Sequence, residues 1–272
     1  MTRWFVNYLM EDAALTGKPN MTTDTHWSLR IACLWIFGLL LIASAVAVRL
    51  PVMDTHVRVL LLVTLFFGVF TGIVFLLKYI ANRPTALYPV VILCVLGIVW
   101  SVLANKPFDP VLMRDSYSRR LEEFVGVKYV WGGESSVGID CSGLARTALW
   151  QSMLRQGFKE LNPRLLGPAL WEFWWRDMSS QDMLRGKYGY TKTIGQANKL
   201  AGYNTDKLSV GDLAVAGGGS HVLIYYGQGR WIEANPDDRK VVVNKATAGS
   251  KRPYFNMAVT FKRWWMFEKQ RE

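Results

Sequence analysis

Three runs of this 272-residue chain carry no charged side chain: 31–48 between Arg30 and Arg49, 59–77 between Arg58 and Lys78, and 84–105 between Arg83 and Lys106. At about 1.5 Å of helical rise per residue, runs of this length come close to or match the roughly 30 Å hydrocarbon layer of a bilayer. Three transmembrane helices are therefore expected in residues 31–105, after an N-terminal segment, 1–30, on the cytoplasmic side. Helices buried in a large soluble core fit less well, because charged residues bracket every run. The first run follows thirty residues that include Glu11, Asp12 and Asp24, which is unlike a cleaved secretory signal.

Composition agrees with a membrane-embedded part, with 51% hydrophobic and 19% charged residues. The 23 Gly and 10 Pro follow no period, which excludes a collagen-like chain, and three Cys exclude a disulfide scaffold. Residues 1–104 hold 7 Lys+Arg against 4 Asp+Glu and residues 105–272 hold 25 against 17, so +8 of the net +11 lies in the C-terminal part. A basic surface favours anionic partners, but no basic helix with interleaved aromatics and no zinc-finger spacing points to nucleic acid. Lys18, Arg30, Lys78 and Arg83 fall on the N-terminal side of the spans. Arg49, Arg58, Lys106, Arg114, Arg119 and Arg120 fall on the other, so the positive-inside rule favours a cytoplasmic C-terminal domain. Inside the spans, Gly68 and Gly72 form one Gly-x-x-x-Gly, and Cys33 and Cys94 read as small packing residues.

Past Asn105 the composition turns mixed and holds 8 of the 12 Trp, while Pro107 and Pro110 mark a short extended linker. Residues 106–272 are long enough for one globular core. A helix is expected over 116–125, with Leu121, Phe124 and Val125 on one face. Tyr129-Val130-Trp131-Gly132-Gly133 reads as a strand start entering a glycine turn. Asp140-Cys141-Ser142-Gly143 then opens a helix over 145–156, placing Cys141 at its N-terminus. Free amides and the positive end of the helix dipole favour a thiolate there, so Cys141 is a candidate nucleophile.

Of three histidines, His26 and His56 lie outside this domain, leaving His221 as candidate base. Residues 211–215 and 220–226 read as adjacent antiparallel strands, and 230–234 follows as a third after the turn at 227–229. Hairpin geometry makes Glu233 a cross-strand neighbour of His221, where a carboxylate would fix the imidazole tautomer. Asn235, two positions on, competes for that role.

These residues resemble the NlpC-type family of papain-like cysteine peptidases, which cut bacterial cell-wall peptides. The resemblance rests on Tyr129-x-Trp131-Gly132-Gly133, Asp140-Cys141-Ser142-Gly143-Leu144, Gly211-Asp212-Leu213, His221 with its apolar strand, and Ile232-Glu233-Ala234. It covers about 150 residues of this chain and implies an α+β papain-like fold with an antiparallel sheet. By position, Cys141 would be nucleophile, His221 general base and then acid, and Glu233 the orienter. The Tyr129 hydroxyl and the Cys141 amide would hold the oxyanion. Trp131, Asp140, Ser142 and Ser220 are assigned to substrate binding.

Two features depart from the family pattern. Its third position is most often His, here Glu, and the 80 residues from Cys141 to His221 exceed the spacing of compact members. The excess, about 157–200, holds Trp171, Phe173, Trp174 and Trp175, which read as extra core, a groove wall or a membrane-surface contact.

The expected activity is hydrolysis of peptidoglycan stem peptides at the D-γ-glutamyl to diaminopimelate bond, by a multi-pass protein of the bacterial inner membrane with a periplasmic domain. Peptidoglycan peptide and the lipid bilayer are the expected partners. Wall remodelling or an antibacterial toxin role, the latter with an immunity protein, would both fit. No metal or other cofactor is expected, since no His/Cys/carboxylate cluster has ligand spacing. The competing readings are a cytoplasm-facing thiol amidase or acyltransferase at the membrane and a non-catalytic wall-binding anchor.

Overall fold

A computed structural model describes residues 35, 38–47, 50–104 and 107–268. Segment 1–30 with His26, and the start of the first apolar run with Cys33, lie outside the described residues. Ten residues of that run form helix α1 (Gly38–Ala47). Asp54 then caps helix α2 (Thr55–Asn82) by accepting from the Val57 amide at 2.9 Å. A 3-10 turn, Pro84–Ala86, leads into α3 (Leu87–Leu103).

Among the described residues, two helices are long and apolar enough to cross a membrane, Thr55–Asn82 and Pro84–Val102, where three spans were expected. The two long helices are not core helices of a soluble fold, because their apolar windows are 6% and 0% buried. Helix α1 joins α2 through Ser44 and Thr64, whose hydroxyls lie 2.7 Å apart. A Cβ added at Gly72 would meet nothing within 4 Å among the described residues.

The C-terminal part is α+β. Helix α4 (Pro110–Glu123) begins six residues before the expected start, because Asp109 caps it through the Val111 amide at 2.7 Å and Pro110 is its first residue rather than linker. The expected strand at Tyr129 is reduced to single bridges, Lys128 to Lys240 and Tyr129 to Ile139. A small hairpin, β1 (Glu134–Ser135) and β2 (Gly138–Ile139), precedes the long helix α5 (Cys141–Lys159). Three short helices follow: α6 (Pro163–Leu166), α7 (Pro168–Trp175) and α8 (Ser180–Arg185). The sheet comprises β3 (Thr191–Ala197), β4 (Leu213–Ala216), β5 (His221–Gly227), β6 (Arg230–Asn235), β7 (Lys240–Lys245) and β8 (Val259–Trp264). Its order is β3-β8-β4-β5-β6-β7, with every adjacent pair antiparallel.

Strand alternation divides the core into two layers. Leu213, Val215, Val222, Ile224, Ile232 and Ala234 face α4 and α5, with Leu144, Ala145 and Ala148 from α5. Ala214, Ala216, Leu223, Tyr225 and Trp231 face the other way, onto Leu200, Phe255 and Phe261.

The apolar helices are joined to this domain at one face. Pro51 accepts from the Glu134 amide at 2.8 Å, and Val52 bridges Gly133. Arg58, at the start of α2, is 3% exposed and donates to the Trp175 carbonyl at 2.9 Å and to both Glu134 oxygens at 3.2 and 2.9 Å. Arg146 of α5 pairs with the same Glu134 and with Asp177. Burial pushes the Glu134 carboxyl up, and the two guanidiniums offset only part of that.

Candidate active site

The helix bearing Cys141 starts where it does because of Asp140. One Asp140 oxygen accepts from the Gly143 amide at 2.6 Å and the Ser142 hydroxyl at 3.0 Å, and the other from the Gly132 amide at 2.8 Å. This N-cap ties the helix tip to the preceding loop. The contact is backbone to backbone: a Cβ on Gly143 would stand 2.1 Å from the Gly133 carbonyl oxygen, and one on Gly133 would stand 2.5 Å from that of Gly138. The two glycines let Cys141 and the loop share one small volume.

His221 is the first residue of β5 and is 1% exposed, as is Glu233 on β6. His221 Nε2 lies 2.7 Å from Glu233 Oε2. The register pairs Ile224 with Ile232, and continuing it sets Glu233 opposite Leu223 and Asn235 opposite His221. The acid is thus a diagonal neighbour, still within side-chain reach. Asn235 faces the imidazole in register, yet its side-chain oxygen accepts from the Asp237 and Asp238 amides at 2.7 and 3.1 Å and closes the turn after β6.

With Nε2 on the carboxylate, Nδ1 is the ring nitrogen left for proton exchange with Cys141, which lies near enough to act on the imidazole's charge. Burial alone would disfavour the imidazolium. The bonds to Cys141 and Glu233, with the negative charge of each, outweigh it and push His221 up to about 9. A cation against a sulfur at a helix N-terminus is the setting that supports a thiolate nucleophile.

Tyr129 borders the same groups. Burial and then the charges of Cys141, Asp140 and Tyr254 push its hydroxyl well above the usual range, so it stays a neutral donor. Among the described residues, the Cys141 amide has no backbone acceptor. Trp131 stands 82% exposed on the adjoining loop. Ser142 turns its hydroxyl to Asp140, and exposed Ser220 donates to the Ala216 carbonyl at 3.2 Å. Neither Ser142 nor Ser220 is engaged with His221. A cavity of ≈ 480 Å³ lies further along α5, among Met53, Glu134, Arg146, Trp150 and Trp174, and not at the sulfur.

Two residues of the site carry no sequence signal. Tyr254 stacks on the His221 ring at 3.8 Å between centroids and 15° between planes. Arg252 stands 3.9 Å from Glu233 Oε1 and 2.6 Å from Asp238. Both sit in the loop before β8, anchored by Phe255, whose carbonyl accepts from the Leu200 and Ala201 amides at 2.9 Å. A loop without periodicity gives no hint of which strand end it covers. The aromatic stretch 171–175 is divided: Phe173 is core, Trp174 is half-buried, and Trp171 and Trp175 face outward.

A cysteine helix laid on an antiparallel sheet that carries histidine and its polar partner is the papain-like α+β arrangement. Residues 126–259 match the NlpC/P60 family model, and this domain belongs to that family, whose members are cysteine peptidases or amidases. Among solved structures the chain is similar to the P60 domain of an antigen of M. avium subspecies paratuberculosis, at 25% identity and a TM-score of 0.34 over 56% of this chain and 95% of that one. It is also similar to the peptidoglycan hydrolase RipB of Mycobacterium tuberculosis, at 25% identity and a TM-score of 0.35 over 57% of this chain and 65% of that one. A third likeness is to NlpC2 of Trichomonas vaginalis, at 17% identity and a TM-score of 0.36 over 58% of this chain and 49% of that one. No curated protein matches the chain.

Proposed function

We propose that this protein is a membrane-anchored cysteine hydrolase that cleaves an amide bond in peptidoglycan stem peptides, the D-γ-glutamyl to diaminopimelate bond being the one implied by the family. The observation that carries this reading is buried His221, held by Glu233 at 2.7 Å on Nε2, with Cys141 near enough to raise its proton affinity. Starting from the thiolate and imidazolium, Cys141 Sγ attacks the carbonyl carbon. The Cys141 amide and the Tyr129 hydroxyl receive the developing oxyanion. His221 passes its proton to the leaving amine as the C–N bond breaks and a thioester remains. Neutral His221 then takes a proton from water, hydroxide displaces the sulfur, and carboxylate and ion pair are restored. Glu233 keeps the ring in one tautomer throughout.

The α2–α3 hairpin supplies the anchor, and a wall substrate requires the domain to lie outside the plasma membrane. The charge count that favours the opposite orientation weakens once the fold is known. Arg114, Arg119 and Arg120 belong to α4 of the folded domain rather than to a short loop between spans, and such charges weigh less in setting orientation.

The test is digestion of muropeptides by the purified full-length chain, read by mass. The wild type yields the two fragments of a single amide cleavage and Cys141→Ala yields none. No cleavage by the wild type anywhere from about pH 5 to 9, the range that brackets a base of this kind, would overturn the hydrolase reading. Protease accessibility in spheroplasts tests orientation separately, and a domain shielded from external protease would remove the wall substrate.

A further inference from the structure

The exposed tryptophans of α7 are unexplained by the active site, and their position relative to the apolar hairpin defines their surroundings. One end of α7, at Pro168 and Ala169, shares an open cavity with Ser101 near the end of α3. At its other end, the Trp175 carbonyl accepts from Arg58 at the start of α2, and the Arg58 guanidinium lies 5.8 Å from the centre of the Trp174 ring. Helix α7 therefore lies across the open end of the hairpin, at the level where both apolar helices reach the domain.

Leu170 and Phe173 turn into the core, while Trp171 and Trp175, four residues apart on one helical face, are 49% and 39% exposed. Indoles favour the headgroup level of a bilayer, where the ring meets acyl chain and the N–H meets water. Arg164 lines the cavity at the α3 end, and the intervening acid, Glu172, lies 3.8 Å from Arg176.

We infer that α7 is an interfacial foot: Trp171 and Trp175 seat in the headgroup region of the phospholipid bilayer crossed by α2 and α3, and fix the height and tilt of the catalytic domain above it. The inference rests on the membrane-anchored reading, and it gives the insertion between nucleophile and base a partner, a phospholipid surface.

The test uses the full-length chain in phospholipid vesicles with bromine placed either at mid-bilayer or close to the headgroups, and reads tryptophan quenching. Trp100, beside Ser101 at the end of α3, lies near the headgroups, so mid-bilayer bromine is read in a Val95→Trp background, common to both proteins, that places an indole midway along α3 and tests the anchor alone. Headgroup-proximal bromine quenches the wild type, and Trp171→Ala/Trp175→Ala loses much of that quenching while mid-bilayer quenching stays. If mid-bilayer bromine quenches neither protein, the anchor falls and the inference with it. Retained mid-bilayer quenching, with headgroup-proximal quenching equal in variant and wild type, would overturn the inference alone. So would a raised KM for muropeptide cleavage by the variant in detergent, which would make the two rings a substrate-groove wall.

Discussion

Glu233 and the partly buried Glu134 both face cations, and the two pairs are assembled differently. Glu233 meets His221 across one hairpin, twelve positions away. Glu134 meets Arg146 of the cysteine helix and, 76 positions away, Arg58 of the apolar hairpin. Imidazole changes charge within the biological pH range, whereas guanidinium stays charged. The first pair can handle a proton and the second is a fixed joint between the apolar helix α2 and the α+β domain. Burial of an ion pair is therefore not a mark of catalysis by itself. What distinguishes Glu233 is a titratable partner with a sulfur on its other nitrogen.

The sharpest separation of the two sites comes from the nucleophile. Cys141→Ala lowers kcat by on the order of 10⁴-fold or more in muropeptide digestion, while the thermal midpoint moves little because the Glu134 joint is intact. Glu233→Gln comes next, lowering kcat by about 10³-fold through loss of the ring's fixed tautomer. It also moves the alkaline limb of the pH–rate profile down from about 9 toward 6.5. The stability effect has a definite sign. His221 is raised in the fold, so its contribution is fully present below about 6.5 and is lost as pH rises through about 9. Thermal midpoints of wild type and Glu233→Gln therefore differ most in acid and converge above that window.

Arg58→Ala breaks the other site. It leaves Glu134 with one buried partner and costs roughly 3 kcal/mol, read as a lower melting midpoint in detergent, with the alkaline limb unmoved. A limb that shifted with Arg58 would mean that the two sites are one network. The smallest effect belongs to Tyr254→Ala, which uncovers the imidazolium face and costs about 1 kcal/mol, with a slight fall of the alkaline limb. Tyr254→Phe keeps the stacked ring and restores both values.

Much of this was legible in the residues alone. Cys141 at a helix tip, the strands of His221 and Glu233, and the apolar runs of α2 and α3 all follow from local pattern, since capping, alternation and charge-free length act over a few neighbouring residues. The start of α4 was misplaced because Asp109-Pro110 was read as linker instead of cap. The first apolar run lies partly outside the described residues, which hold two helices of spanning length. Arg58 looked like a membrane-edge charge, and nothing within its own segment points to Glu134.

The sequence by itself determined which candidate groups sit on which kind of element, Cys141 at a helix tip and His221 and Glu233 on strands, because side-chain type and periodicity are local properties. Only the tertiary structure decided that Glu233 rather than Asn235 holds the imidazole, that Tyr254 and Arg252 enclose the pair, and that an arginine of the apolar helix α2 shares Glu134 with the cysteine helix. Those choices depend on strand register and loop placement, and both are set by burying the two core layers together across segments far apart in the chain.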